Sequence, residues 1–165
     1  MINYQFFPKT KELPEHLIAV ADAFKSVANQ IDSSVYQLDS NTVLSRVSPE
    51  LKKLSFVTEP EDGKIKVPVL FGLNNAVEQH FEADAFNIAT KTVIEVEAGR
   101  ALTNYQFLKD LFEACMMHDT QFLVIAVRNR YRTSPDFDKI YKFFDTMYQS
   151  ERLQLPLSGI LLIGY

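Results

Sequence analysis

The 165 residues include only five glycines, one cysteine and no tryptophan. A lone Cys115 excludes an internal disulfide and a cysteine-based zinc site, and its place inside a predicted helix makes it a core thiol rather than a nucleophile. The few glycines form neither a phosphate-binding loop nor a dinucleotide-binding fingerprint. There is no G-x-S-x-G and no H-E-x-x-H, and the three histidines are scattered. No apolar run approaches the roughly 20 residues that span a bilayer, and MINYQFFPKTKELPEH lacks the charged start and apolar stretch of a signal peptide. A cytoplasmic protein with no membrane partner is expected. A basic excess is missing too: 17 Lys and Arg stand against 21 Asp and Glu, a net charge of −4. That balance argues against a general nucleic-acid binder, although acids clustered at a metal site lower the total while a basic surface can lie nearby.

Hydrophobic residues are plentiful, at 47% with 13 phenylalanines, so a globular chain is expected, organised as one domain over residues 1–165. Leu17, Ala21, Phe24, Ala28 and Ile31 repeat at helical spacing and predict a helix over Pro14–Ile31. Val43–Val47 reads as a short strand, Ser48-Pro49 as the start of a brief helix through Leu54, and Glu59–Gly63 as a turn. Alternation at Ile65, Val67, Val69 and Phe71 predicts a strand, with Pro68 marking an edge or bulge. Thr103–Gln106 offers a capping box for a helix to about His118, its face formed by Tyr105, Leu108, Phe112 and Cys115, broadened by Phe107 and Leu111, with Lys109 and Asp110 exposed. Gln121–Val127 is a buried strand parallel to Val93–Glu97, because a helix joins them. A helix from Pro135 to about Gln149 and a strand over Leu157–Ile163 complete the order: helix, three strands, helix, strand, helix, strand.

Between these lies His80–Arg100, HFEADAFNIATKTVIEVEAGR, which reads as two strands joined at Ala89-Thr90. Alternation puts Glu82 and Asp84 on one face, and Glu95 and Glu97 likewise, with Ala83, Ala85, Ile94 and Val96 on the opposite, core-facing side. A turn centred on Ala89-Thr90 sets Asp84 opposite Glu95 and Glu82 opposite Glu97. Facing like charges destabilise a sheet unless a cation sits among them, and a divalent metal is the simplest candidate. The alternative is the polar outer face of an amphipathic hairpin. Mg²⁺, or Mn²⁺, takes hard oxygen ligands and needs only one or two carboxylates, which Asp84 and Glu95 supply. Glu97 is then placed to orient water or act as general base. Glu82 is a neighbour, and His80 has a minor role at most.

An Asp on the second strand of a meander, Glu-x-Glu on the third, then a helix and a buried strand resembles the PD-(D/E)XK nuclease superfamily, most of all restriction endonucleases of the BamHI-like and BglII-like kind. The resemblance covers roughly Lys64–Arg130, with Pro14–Ile31 as the first core helix. It implies a restriction-endonuclease-like α/β fold: a mixed sheet, antiparallel meander first and parallel strands after, flanked by helices. It also implies an Mg²⁺-dependent endonuclease acting on DNA, with Asp84, Glu95 and Glu97 catalytic, Asp84 and Glu95 on the metal, and a homodimer to cut both strands. Glu97 replaces the Lys more usual at that position.

Phosphate contact calls for cations. Arg128, Arg130 and Arg132 cluster in RNRYR, with Tyr131 interleaved, and Arg100 and Asn104 lie just beyond Glu97. A solvated loop is the plain reading of RNRYR; DNA contact is the functional one. Two further readings stand beside the nuclease: an inactive nuclease-like fold serving as a binding or regulatory protein, and a metal-dependent hydrolase of a non-nucleic phosphate compound.

Overall fold

A computed structural model describes residues 1–165, apart from the side chains of Pro60 and Glu61. The strands are β1 (Asn3–Phe7), β2 (Val57–Thr58), β3 (Ile65–Phe71), β4 (Val77–Ala83), β5 (Ala85–Asn87), β6 (Thr92–Glu97), β7 (Phe122–Val127) and β8 (Gly159–Gly164). The helices are α1 (Glu15–Ser26), α2 (Ala28–Ile31), α3 (Ser40–Lys53), α4 (Glu59–Asp62), α5 (Gln106–Met116) and α6 (Asp136–Gln149). Six strands form one sheet in the order β1-β8-β7-β6-β5-β2, while β3 and β4 make a separate hairpin. β6, β7 and β8 run parallel, and the remaining pairs are antiparallel.

The central strands are apolar on both faces because both are covered. Ile94, Val96, Val124, Ala126, Leu161 and Ile163 pack with Leu17, Val20 and Phe24 of α1 and Val43, Leu44, Val47 and Leu51 of α3. On the other side Val93, Leu123, Ile125, Ile160 and Leu162 pack with Phe107, Leu111 and Ala114 of α5 and Ile140, Phe144 and Met147 of α6. The expected helix over Pro14–Ile31 is divided at Val27 (φ −108°, ψ 11°) into α1 and α2.

Val43–Val47 is helix rather than strand. Val43, Leu44, Val47 and Leu51 are buried at 3.6-residue spacing, and the Asp39 side chain caps α3 by accepting from the Thr42 amide at 2.7 Å. Pro49 sits inside this helix, so Ser48-Pro49 continues it instead of starting a new one. The Glu59–Gly63 turn takes the form of the short α4 followed by Gly63 at φ 76°. β1, unmarked in the sequence reading, closes the sheet edge against β8. The expected Thr103–Gln106 capping box does not form: Tyr105, at φ 50°, precedes α5 without a side-chain cap. Its buried stripe is Phe107, Asp110, Leu111 and Ala114, one position round from the expected face, so Tyr105 and Phe112 are exposed.

β3 and β4 pair as expected, with register shifts between Pro68 and Phe71. The second strand of the expected meander is interrupted at Asp84. Before it, β4 pairs only with β3; after it, β5 joins the main sheet. Leu44→Ala in α3 will cost about 2–5 kcal/mol, because Leu44 is fully buried. Ser45→Ala on its exposed side will stay within about 0.5 kcal/mol in urea unfolding.

Candidate metal and nucleic-acid site

Asp84 occupies the break between the two sheets. Its Oδ2 accepts the Val96 amide at 2.7 Å, and its backbone carbonyl accepts the Glu59 amide at 2.8 Å. The β5–β6 register pairs Ala85 with Ile94 and Phe86 with Val93, the alignment expected from a turn centred on Ala89-Thr90. The loop itself is longer than a two-residue turn. Asn87 Oδ1 accepts the amides of Ala89 and Thr90 at 2.9 and 3.0 Å, and Lys91 takes φ 55°. Glu82 lies outside this register, opposite Lys66 in the β3–β4 hairpin, and pairs with Lys64 at 3.2 Å. No strand register therefore sets Glu82 opposite Glu97, although both line the same crevice.

Glu95 and Glu97 project from the α5 side of β6 into a crevice of about 190 Å³ that Asp84, Gln106, Lys109, Asp110 and Glu113 also line. The Tyr165 phenol donates to the Glu97 carbonyl at 3.0 Å and pins the end of β6. Asp110, expected on the surface, is 4% exposed. Gln106 Nε2 donates to its Oδ1 at 3.1 Å, while its Oδ2 is buried without a hydrogen-bond partner among the described residues. Sequence reasoning missed this residue; the available signal was an acid within the stripe Phe107, Asp110, Leu111, Ala114.

Burial is the main influence on all four acids, lifting Asp84 to about 6 against the pull of the Val96 amide, Asp110 to about 7 and Glu97 to about 8. Glu95 is raised well above the usual carboxylate range, by burial first and then by the charge of Asp84. Two lysines line the same crevice but are paired with its other acids: Lys64 with Glu59 at 2.6 Å and with Glu82, and Lys109 with Glu113 at 3.3 Å.

Among the described residues no three His, Cys, Asp or Glu side chains converge into a ready-made metal cage. The donor set is nevertheless all oxygen, and Mg²⁺ commonly takes one or two carboxylates and completes its shell with water and substrate. The unpaired Asp110 oxygen and the uncompensated charge fit a hard divalent cation.

The five polar and cationic residues expected at DNA divide by burial. Arg100, Asn104, Arg130 and Arg132 are exposed. Arg128 is 7% exposed; its guanidinium donates to the Leu38 carbonyl and lies 5.1 Å from the Tyr131 ring centroid. Tyr131 fits because Gly99 (φ 99°) has no side chain: a Cβ there would come within 2.5 Å of the ring. Glu97 and Gln106 also line a depression of about 570 Å³ that reaches Arg100 and Arg128, and Arg128 and Tyr131 lead into a third, of about 600 Å³, bearing Arg130 and Arg132. The acidic crevice thus opens into a basic groove. His80 lies outside the crevice lining.

Neither a protein-family model nor a curated protein matches the chain. Among solved structures it is similar to the crystal structure of free BglII, with a TM-score of 0.53 and 12% sequence identity over 99% of this chain and 78% of that one. The fold is therefore restriction-endonuclease-like, a mixed sheet with antiparallel and parallel strands flanked by helices, as expected from the sequence.

A carboxylate whose folded pKa is raised binds more protons folded than unfolded, so stability is greatest below the unfolded value near 4 and falls as pH rises through the folded value. With Asp84, Asp110 and Glu97 raised to about 6, 7 and 8, the metal-free protein will lose stability between pH 5 and 8. Urea midpoints in chelator will fall over that range. Glu97→Gln will flatten the dependence, and an equal slope in that variant would show that Glu97 is not among the groups responsible.

Proposed function

We propose that the protein is a divalent-metal-dependent endonuclease that hydrolyses phosphodiester bonds in DNA. The observation carrying this reading is the gathering of Asp84, Glu95 and Glu97, half-buried and without a paired cation, at the mouth of a basic groove in a restriction-endonuclease-like fold. Asp84 and Glu95 would hold the cation, Mg²⁺ or Mn²⁺, which would supply charge neutralisation and Lewis acidity towards water and phosphate.

Glu97, two residues along the same face of β6, receives the proton of the attacking water, and a raised affinity for protons suits it to that task. The Tyr165 phenol on its carbonyl and the pairing with Val127 fix its backbone position. Arg100, Asn104, Arg130 and Arg132 line the path of the DNA backbone. Arg128 contributes from beneath by holding Leu38 and Tyr131 in place. One crevice attacks one strand, so two copies of the chain serve a duplex.

Asp84→Ala and Glu95→Ala will each reduce plasmid cleavage with Mg²⁺ or Mn²⁺ by about 10²-fold or more, while circular dichroism shows the fold retained. Unchanged metal binding in both variants by calorimetry would mean that the site is wrongly placed. If the parent protein nicks no plasmid with either ion over a range of sequences, the inactive nuclease-like binding protein becomes the better account. For the groove, Arg130→Ala and Arg132→Ala will each weaken DNA binding on all sequences and lower the salt dependence by about one unit of slope. An unaltered slope places those arginines off the DNA.

A further inference from the structure

The two depressions of the basic groove share three lining residues, Gln37, Arg128 and Tyr131. What those side chains offer decides what the groove can distinguish at the point where the depressions meet. Arg128 is buried and donates to the Leu38 carbonyl. Tyr131 is half-buried, its ring centroid 5.1 Å from the Arg128 guanidinium and 5.3 Å from that of Arg132. Gln37 is exposed, and among the described residues its side-chain amide has no hydrogen-bond partner. The other amide side chains lining the groove are engaged by the protein: Asn129 donates to the Met1 carbonyl at 2.8 Å and accepts from Asn3 at 3.1 Å, and Gln106 donates to Asp110 at 3.1 Å.

The chain on either side of Gln37 is braced. Before it, the Tyr36 amide donates to the Asp32 carbonyl at 2.9 Å, and the Arg46 guanidinium lies 5.8 Å from the Tyr36 ring centroid. After it, Leu38 packs against the core while its carbonyl accepts from Arg128, and Asp39 caps α3. Gln37 thus presents a free amide from a backbone held at both sides, which loses little freedom when a ligand arrives. Arg128 follows β7, whose last residue pairs with Glu97, so the bond to Leu38 also ties the position of Gln37 to the strand that bears the acids.

The chemistry of the amide points to its ligand. Arginine side chains only donate, which suits phosphate oxygens, and Arg100, Arg130 and Arg132 are assigned that part in the same groove. Glutamine carries a donor and an acceptor side by side, and adenine presents the matching pair, the N7 acceptor and the N6 amino donor, on its major-groove edge. We propose that Gln37 reads an adenine through the major groove beside the phosphate to be cut, because Glu97 lines one of the two depressions that Gln37 joins. The inference rests on the reading of the groove as the path of the DNA. It makes the 32–39 segment an element of sequence specificity, separate from the arginines that contact the backbone.

Selection from a randomised duplex library tests this by binding, with the full chain in Ca²⁺ in place of Mg²⁺ and the retained sequences read out. The parent will enrich a site with an adenine that Gln37→Ala no longer prefers, a loss of about 10-fold or more in discrimination at that position. Preferences at the other positions and the salt dependence will be unchanged, since no phosphate contact is removed. Gln37→Glu, which can only accept, will favour cytosine there instead. Both variants will unfold at the parent's urea midpoint, because Gln37 is exposed. An unchanged preference in Gln37→Ala, or an equal weakening on every sequence, would overturn the inference and leave the nuclease reading intact. A parent that binds DNA without any preference would do the same. A parent that retains no duplex would overturn both.

Discussion

The Val96 amide donates to the Asp84 carboxylate at the point where one strand is shared between two sheets. Upstream of Asp84 the chain pairs with β3, and downstream with β6. As β4 turns away, the β6 amide beyond the last β5 pair needs another acceptor, because a buried donor left alone costs about 1–3 kcal/mol. A side-chain carboxylate fills the role of the departing backbone carbonyl. The consequence is positional: the acid that closes the ladder is held against the strand that bears Glu95 and Glu97, and its second oxygen is left for other work.

Two apolar layers make so crowded a group of acids tolerable. The sheet is packed on both faces, and most of the stabilising burial lies away from the crevice. The carboxylates stand at the rim of this core, where β5 and β6 diverge from the hairpin and the α5 N-terminal turn arches over them. Their raised proton affinities follow from that place. They are too enclosed to be well hydrated, and the lysines that share the crevice are ion-paired with other acids, Lys64 with Glu59 and Glu82 and Lys109 with Glu113.

Much of this was legible in the sequence where periodicity and symmetry coincide. The alignment of β5 with β6 followed from the midpoint at Ala89-Thr90, and it held although Asn87 builds a longer loop, because a loop lengthened equally on both sides leaves the register unchanged. The parallel pairing of β6 and β7 followed from the helix between them. Other features depended on tertiary partners. Val43–Val47 is too short a window to separate alternation from a helical stripe; Leu51, one turn beyond Val47 and past Pro49, reveals the helix. In α5 two adjacent stripes carry apolar residues, and only the sheet decides that the Phe107–Leu111 stripe faces inward and takes Asp110 with it. The interruption at Asp84 left no mark either, since Ala83, Asp84 and Ala85 suit a continuous strand as well as a broken one.

The parallel register of β6 and β7 aligns Glu97 with Val127, so the acid that ends one strand and Arg128, which follows the next, emerge side by side at the same edge. The spacing of their backbones is set by the inter-strand distance of about 4.8 Å, a dimension no loop can alter. Negative and positive ends of the groove are therefore fixed to a common ruler inside the core. The segments that border it, 32–39 between α2 and α3 and 98–105 before α5, lie outside the sheet. Insertions or substitutions there would reshape what the groove admits without moving the two charges relative to each other, so selectivity and charge placement can change independently.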